Sequence, residues 1–219
     1  MPGSWEIAAG RKVLVYFLHT EVVPTAFAMS LRRLIVPGDI LPPIAGMPFD
    51  HARNHAVQQF LASPFQFLFS IDSDMVVPPD TILRLLNRNL PIVSAMYCRR
   101  SPPHSVPVMI KNGEWVTKFI PGSLVEVDWV GAGALLIHRS VFEKMPPQRP
   151  GKPWFDWRVD LRGTGIVPDD TCLSEDFTFC KAAKLSLGVS TYVDTSIQCK
   201  HAGWAEYTFG NVQPLNHAA

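Results

Sequence analysis

The stretch Phe65-Gln66-Phe67-Leu68-Phe69-Ser70-Ile71, followed at once by Asp72-Ser73-Asp74, decides the fold. Its run of aromatic and branched apolar side chains is typical of a buried β-strand. Two acids separated by one residue then stand at the carboxyl end of that strand. Open α/β sheets bind their ligands at this edge. The sequence therefore predicts a ligand site around the two aspartates.

Strand and helix signals alternate along the rest of the chain. Predicted strands cover residues 13–18, 92–96, 125–137 and 190–193, and predicted helices begin near Thr25, Asp50, Pro78, Ser140 and Ser174. Thr25, Asp50 and Ser174 are predicted N-caps, and Ser140 opens a capping box. This alternation predicts an α/β protein, a single-domain three-layer sandwich with a mostly parallel central sheet. We place its core at about residues 11–204 and a C-terminal tail at 205–219.

Two segments between these elements are predicted loops. Residues 35–48 and 146–170 are rich in proline and glycine, which interrupt regular structure. A small hairpin is predicted to turn at Asn112-Gly113, because this dipeptide suits a tight two-residue turn.

The composition excludes several classes of protein. Of the 219 residues, 47% are hydrophobic and 18% are charged, which excludes a disordered chain. A formal net charge of +1 gives no strong signal for nucleic acid. No apolar run reaches the roughly 18 residues that span a bilayer, and residues 1–12 lack the pattern of a signal peptide. We therefore expect a cytoplasmic protein without an integral membrane segment.

The four cysteines form no C-x-x-C pair. In a reducing compartment most of them are expected to be inert fillers. An alternative is a zinc site built from Cys172, Cys180, Cys199 and His201, although their spacing fits no common zinc template.

The paired aspartates have a chemical interpretation and a structural one. Two neighbouring carboxylates repel each other unless a cation lies beside them. Magnesium typically takes one or two protein carboxylates together with substrate phosphates. Alternatively, the acids only cap the turn into the next helix. The apolar strand before Asp72 and the helix entry Val77-Pro78-Pro79-Asp80 after it favour the metal site.

Four stretches together resemble one enzyme family. Residues 67–75 with 77–80 resemble the D-x-D region of inverting, family-two-like glycosyltransferases with the A-type (nucleotide-diphospho-sugar transferase) fold. Ala52-Arg53-Asn54 resembles the A-R-N helix before that region. Residues 127–137 resemble the glycine-bearing strand of these enzymes, and Ser174-Glu175-Asp176 resembles their E-D motif. The four stretches stand in the expected order and, with their flanks, span about residues 13–201.

The resemblance implies a metal and nucleotide site. Asp74 would ligate Mn²⁺ or Mg²⁺, and Asp72 would contact the metal or the ribose of the nucleotide. A late histidine, here His201, would complete the metal site, although a lone histidine is often only structural. Thr20 and Glu21 would lie near the nucleotide base.

The resemblance also implies catalytic and sugar-binding residues. Asp176, with Glu175 beside it, would deprotonate the acceptor hydroxyl, although acids in a first helical turn also stabilise the helix dipole. The residues expected near the donor phosphates or the transferred sugar are Arg53, Arg99, Arg100, Gly131, Ala132, Gly133 and Trp157. For Arg99 and Arg100 the alternative is a solvated basic turn, and for Trp157 it is ordinary aromatic packing.

The combined hypothesis is a metal-dependent glycosyltransferase. It would move a sugar from a nucleotide-diphosphate donor, UDP- or GDP-linked, to the hydroxyl of an unknown acceptor with inversion at the sugar carbon. Alternatives are a retaining transferase on the same fold, a sugar-1-phosphate nucleotidyltransferase, and a nucleotide- or glycan-binding module with an inactive site. Gly131-Ala132-Gly133-Ala134 lacks the third glycine of a dinucleotide fingerprint and falls within a predicted strand, which argues against a Rossmann cofactor site.

Overall fold

The computed structural model describes residues 12–18, 22–100, 105–157, 173–202, 205–208 and 211–214. The helices are α1 (Thr25–Arg33), α2 (Phe49–Leu61), α3 (Thr81–Asn87), α4 (Arg139–Lys144) and α5 (Glu175–Leu187). The first seven strands are β1 (Val13–Leu18), β2 (Gly38–Ile40), β3 (Phe67–Asp72), β4 (Met75–Val76), β5 (Ile92–Met96), β6 (Met109–Lys111) and β7 (Glu114–Trp115). The others are β8 (Leu124–Val127), β9 (Trp129–Val130), β10 (Ala134–His138), β11 (Thr191–Gln198), β12 (Lys200–His201), β13 (Ala205–Thr208) and β14 (Asn211–Pro214).

The main sheet has seven strands in the order β2-β1-β3-β10-β5-β11-β8. Strands β2, β1, β3, β5 and β11 run in one direction, whereas β10 and β8 run in the other. Two smaller sheets flank it, with strand orders β14-β13-β12-β4 and β7-β6-β9. The predicted α/β class with a mostly parallel central sheet is confirmed.

Helices cover both faces of the main sheet. Along β1, Leu14, Tyr16 and Leu18 point into one core cluster, and Val13, Val15 and Phe17 point into the other. The first cluster is completed by apolar residues of α2, α4 and α5, and the second by those of α1 and α3. Each fully buried large apolar side chain stabilises the fold by about 1.5–3 kcal/mol. Because alternate side chains of β1 pack against helices on opposite faces, the sheet lies as the middle layer between two layers of helices.

Strand register brings distant residues to the end of β3. Leu18 of β1 pairs with Asp72 of β3. In the second sheet His201 of β12 pairs with Met75 of β4, directly after the Asp72-Ser73-Asp74 turn. The backbone N–H of Ala202 also donates to the carbonyl of Asp74 at 2.6 Å. The chain near residue 201 is therefore fixed beside the two aspartates.

Three predicted helix caps are wrong. Pro24 and Pro48 are the N-caps of α1 and α2, with Thr25 already inside α1. Proline suits these positions because its fixed φ places the chain in an extended conformation just before the helix. His138, not Ser140, is the N-cap of α4, and its side chain accepts a hydrogen bond from the Ser140 N–H. By contrast, Ser174 is the N-cap of α5 as predicted.

The predicted strand over residues 125–137 and the predicted loop over 35–48 also differ from the structure. The former is divided into β8, β9 and β10, and the latter contains β2. Gly131 and Gly133 lie between β9 and β10, against the buried ring of Tyr97. The Gly133 N–H donates to Tyr97 Oη at 3.1 Å. Glycine is required at both positions because the tyrosine occupies the space that side chains would need.

The predicted hairpin is confirmed, with β6 and β7 paired around Asn112-Gly113. Both turn residues have positive φ, 53° for Asn112 and 80° for Gly113, as a tight hairpin turn requires. Among the described segments, no helix combines the length and the apolar character needed to cross a membrane.

The close packing at Tyr97 gives a stability test. A Cβ added at Gly131 would overlap the Tyr97 hydroxyl oxygen. We expect Gly131→Ala to lower the free energy of unfolding by about 1–3 kcal/mol, because overpacking forces the neighbouring ring to shift. In a Tyr97→Phe background the same substitution should cost less than half as much, since the overlapping oxygen is gone. Urea unfolding of both single variants and the double variant measures this, and additive effects would contradict the account.

Candidate functional site

A cavity of about 1060 Å³ opens at the carboxyl ends of β1 and β3. Its volume is at the upper end of the range for small-molecule sites. The described residues that line it are Leu18, Ile44, Ala45, Gly46, Met47, Pro48, Phe49, Ala52, Arg53, Asp72, Ser73, Asp74, Arg100, Trp157, Ser174, Glu175, Asp176 and His201. Acidic and basic groups from five separate parts of the chain therefore meet in one cavity.

Arg53 lies buried on α2 and connects three other elements. Its Nε donates to Glu175 Oε1 of α5 at 2.9 Å, and its Nη2 donates to Asp72 Oδ1 of β3 at 3.0 Å. Its Nη1 donates to Ser70 Oγ at 2.9 Å and to Tyr16 Oη at 3.3 Å. The rigid fork of the guanidinium suits several partners at fixed angles. Arg53 therefore sets where both carboxylates lie.

The charge of Arg53 is balanced within the fold. Burial by itself lowers the pKa of Arg53, but attraction to the carboxylates of Asp72 and Glu175 outweighs it and holds the pKa well above its usual value. Burial raises the pKa of the Tyr16 hydroxyl, so Tyr16 is a neutral partner. The site is therefore built around a permanent buried cation.

Asp74 faces a different set of partners from Asp72. Its Oδ2 lies 3.1 Å from His201 Nε2 and 3.1 Å from Arg100 Nη2. Burial raises the pKa of Asp74, but the contacts with His201 and Arg100 outweigh it, so the pKa is below its usual value. The D-S-D turn thus separates its two acids, one toward Arg53 and the other toward His201.

The pair Asp74 and His201 has the donor chemistry of a metal site. His201 Nδ1 lies 3.0 Å from the carbonyl oxygen of Cys98, which can only accept, so Nδ1 carries the proton. In the neutral ring Nε2 is then unprotonated and, like the Asp74 carboxylate oxygen that it faces, can only accept a hydrogen bond. Two facing acceptors are stabilised by a proton or a cation between them. Metal-binding histidines commonly donate their second ring N–H to a carbonyl in this way.

The two ligands do not make a complete site. Within the described ranges no three His, Cys, Asp or Glu side chains are grouped closely enough to hold an ion. Asp72, the other predicted ligand, is bound to Arg53. Asp74 and His201 would therefore need oxygens from a bound phosphate and water, which is how Mg²⁺ is usually held.

Asp176 lies half-buried at the start of α5 and lines the cavity. Its Oδ1 accepts from the Ser174 hydroxyl and from the Phe177 N–H at 2.8 Å, and its Oδ2 accepts from the Ala132 N–H at 3.1 Å. Burial and the neighbouring Glu175 carboxylate raise the pKa of Asp176 to about 6, although Arg53 opposes the rise. A fixed carboxyl with a pKa near neutrality suits a general base.

Asn54, next to Arg53, fixes one wall of the cavity. Its Nδ2 donates to the carbonyl of Phe155 at 2.7 Å, and its Oδ1 accepts from the N–H groups of Trp154 and Phe155 at 3.1 and 3.2 Å. Asp50, a predicted cap, instead pairs with Lys152 and accepts from the Trp157 N–H at 3.3 Å. These contacts hold the segment 152–157 against α2.

Trp157 lies at the mouth of the cavity as a result. Its ring stacks on Phe49 with centroids 6.3 Å apart, and the two side chains are 38% and 55% exposed. This aromatic pair is therefore open to a ligand. Sequence reasoning placed Asn54 in a motif and Asp50 at a helix cap but missed these contacts, and it missed Lys152 altogether. The partners lie about a hundred residues apart, and no local pattern indicates the contacts.

Other predicted site residues lie elsewhere. Arg99 places its guanidinium over the ring of Trp115 at 4.7 Å, and among the described residues it is not part of the cavity wall. Gly131, Ala132 and Gly133 lie behind the wall, where Ala132 contacts Asp176 through its backbone. Thr20 and Glu21 fall outside the described residues.

The zinc alternative is wrong. Cys180 and Cys199 belong to different core clusters, on opposite faces of the main sheet. Burial raises the pKa of the Cys180 thiol to about 12 and that of Cys199 further, as expected of cysteines that fill the core. Cys172 falls outside the described residues.

Comparison with known proteins places this geometry in a known fold. No protein-family model and no curated protein matches the sequence. The solved structure of A197 from STIV matches with a TM-score of 0.62 at 16% identity, over 95% of this chain and 100% of that one. The structure of GalNAc-T7 with UDP, GalNAc and Mn²⁺ matches with a TM-score of 0.57 at 9% identity, over 94% of this chain.

The chain has the A-type glycosyltransferase fold. It spans 45% of the GalNAc-T7 chain. At these identities the likeness establishes the fold, so any activity has to be argued from the residues of the site.

The Arg53 network gives a prediction for stability. We expect Arg53→Ala to lower the free energy of unfolding by about 3–5 kcal/mol, because Glu175 and Asp72 lose their shared cation. Arg53→Lys should recover little of it, since a single ammonium cannot reproduce the fork. Lys184→Ala is a matched control, because Lys184 and Glu126 are each about half exposed and their pair contributes less than about 1 kcal/mol. Equal effects of Arg53→Ala and Lys184→Ala in chemical denaturation would refute the central role of Arg53.

Proposed function

We propose that this protein is a metal-dependent, family-two-like glycosyltransferase that uses a nucleotide-diphosphate sugar. The observation that carries the proposal is the arrangement within the cavity. Asp74 and His201 form a cation-binding pair beside Asp72, and Asp176, with its raised pKa, lines the same cavity. A metal-assisted leaving group and a separate base are the two requirements of an inverting transfer.

Asp176 has the properties of the base. In the proposed reaction the acceptor hydroxyl oxygen forms a bond to the anomeric carbon of the sugar while its proton passes to the Asp176 carboxylate. The bond from that carbon to the nucleotide diphosphate breaks, and the diphosphate leaves with the electron pair. The Ser174 hydroxyl and the Ala132 N–H hold Asp176 in one orientation for this step.

Cationic groups neutralise the leaving diphosphate in this proposal. Arg100 is half exposed, with a side chain that is 48% accessible, so it is free to exchange Asp74 for a phosphate oxygen. A bound Mn²⁺ or Mg²⁺, held by Asp74 and His201, would supply further positive charge to the diphosphate. The exposed Phe49 and Trp157 rings offer an apolar wall for a base or sugar face.

Metal-dependent nucleotide binding is the primary test. We expect UDP or GDP, at a concentration 100 times its Kd, to stabilise the native state by about 2.7 kcal/mol and so to raise the melting temperature by several degrees. The increase should appear only when Mn²⁺ or Mg²⁺ is present. Asp74→Ala should remove the metal dependence. Asp80→Ala is the control, because the Asp80 carboxylate is exposed and does not line the cavity. Nucleotide binding that is the same with EDTA, or the same in Asp74→Ala, would argue against the proposal.

The raised pKa of Asp176 predicts the pH dependence of transfer. Below a pKa of about 6 the carboxyl is protonated and cannot accept the hydroxyl proton, so kcat/KM should fall about tenfold per pH unit there. Asp176→Asn should lower kcat by about 10²–10⁴. Asp39→Asn, which changes an exposed acid on β2, should leave both the rate and the profile unchanged. A rate that stays constant down to pH 4.5, or high activity in Asp176→Asn, would favour a retaining mechanism.

A further inference from the structure

One carboxylate oxygen of Asp74 is shared by two nitrogen atoms. Its Oδ2 lies 3.1 Å from Nη2 of Arg100 and 3.1 Å from Nε2 of His201, and all three residues line the cavity. A divalent ion that binds two ligands at about 2.1 Å and at right angles separates them by about 3 Å. The Asp74 and His201 atoms already have this separation. The guanidinium of Arg100 therefore contacts the same oxygen that a cation would need.

The chain that carries Arg100 is anchored just before this residue. Cys98, two residues earlier, forms a β-bridge with Pro107. The Cys98 carbonyl oxygen also lies 3.0 Å from His201 Nδ1 and holds the ring in place. One segment therefore positions both His201 and Arg100 beside Asp74. The Arg100 side chain is 48% accessible, so it can leave Asp74 without breaking these backbone contacts.

Arg100 differs from Arg53, the other arginine among the described residues that line the cavity. Arg53 is buried and bound on several sides, so it cannot move without leaving two carboxylates unpaired. The ion pair of Arg100 with Asp74 is partly exposed, and such pairs are weak. A diphosphate offers a guanidinium several charged oxygens and a bidentate contact, which a single carboxylate oxygen does not. Arg100 is therefore suited to change partners when a diphosphate enters.

We propose that Arg100 competes with the divalent cation for Asp74 Oδ2 and releases this oxygen when a nucleotide diphosphate binds. The inference rests on the proposed function and adds a coupling between its two ligands. While Arg100 contacts Asp74, the guanidinium charge repels a cation at the same oxygen. When the diphosphate draws the guanidinium away, the cation gains the oxygen and the repulsion falls. A free cation therefore binds poorly, and cation and nucleotide each promote the binding of the other.

The first test is the binding of Mn²⁺ alone, measured by electron paramagnetic resonance without any nucleotide. We expect Arg100→Gln to bind Mn²⁺ about five- to fiftyfold more tightly than the wild-type protein, because the competing charge is gone. If Arg100 served only to bind phosphate, the substitution would leave this affinity unchanged. An Mn²⁺ affinity that is unchanged or lower in Arg100→Gln, or no detectable binding of Mn²⁺ to this variant, would overturn the inference.

Arg99→Gln is the matched control, because it removes the same charge from the preceding residue. The Arg99 guanidinium lies over the ring of Trp115 at 4.7 Å, and Arg99 is not among the described residues that line the cavity. At physiological salt its substitution should change the Mn²⁺ affinity by less than about twofold. An equal gain in Arg99→Gln and Arg100→Gln would show that net charge alone produces the effect, and would overturn the inference.

The coupling is also measured from the nucleotide, by calorimetry with and without Mn²⁺. In the wild-type protein Mn²⁺ should raise the affinity for UDP or GDP, and the nucleotide should raise the affinity for Mn²⁺ by the same factor. In Arg100→Gln this factor should be about fivefold smaller or less. An unchanged factor overturns the inference while the proposed function stands. If the wild-type protein binds neither UDP nor GDP in the presence of Mn²⁺ or Mg²⁺, it is the proposed function that fails.

Discussion

The buried guanidinium of Arg53 is the interaction on which the site depends. It joins helix α2 to strand β3 through Asp72 and to helix α5 through Glu175. A buried charge without its partner is strongly destabilising, so these elements are held in one arrangement. The same contact orients both carboxylates toward the cavity. The contacts that hold α2, β3 and α5 together are therefore the same contacts that set the geometry of the site.

The site has a rigid part and an adjustable part. Arg53, Asp72 and Glu175 are tied together by hydrogen bonds of 2.9–3.0 Å, with the arginine and glutamate side chains almost fully buried. Asp74 instead contacts His201 and the half-exposed Arg100. In the proposed function a cation would lie between Asp74 and His201, and Arg100 would exchange Asp74 for a phosphate oxygen. Such a division suits a transferase, because the reacting centre has to be preorganised while the charges around the leaving group have to rearrange.

Local patterns predicted the elements well and their ends less well. The apolar run before Asp72 and the alternation along β1 needed only side-chain periodicity, so both strands were found. The caps at Thr25 and Asp50 were wrong because Pro24 and Pro48 hold the extended N-cap positions, so that Thr25 and Asp50 already lie inside the helices. The Asp50 side chain instead pairs with Lys152. Residues 125–137 divide into three strands, and glycine is needed at 131 and 133 because Tyr97, about thirty residues earlier, fills the space that a side chain would occupy.

The sequence by itself determined the alternation of elements and the acids that end β3 and begin α5, because these follow from local periodicity and short motifs. Only the tertiary structure decided how those acids divide their roles. In the structure Asp72 contacts Arg53 and Asp74 contacts His201, and among the described residues one oxygen of Glu175 is buried without a hydrogen-bond partner. The physical reason is that charge pairing and desolvation depend on which groups meet in space, across more than a hundred residues of chain.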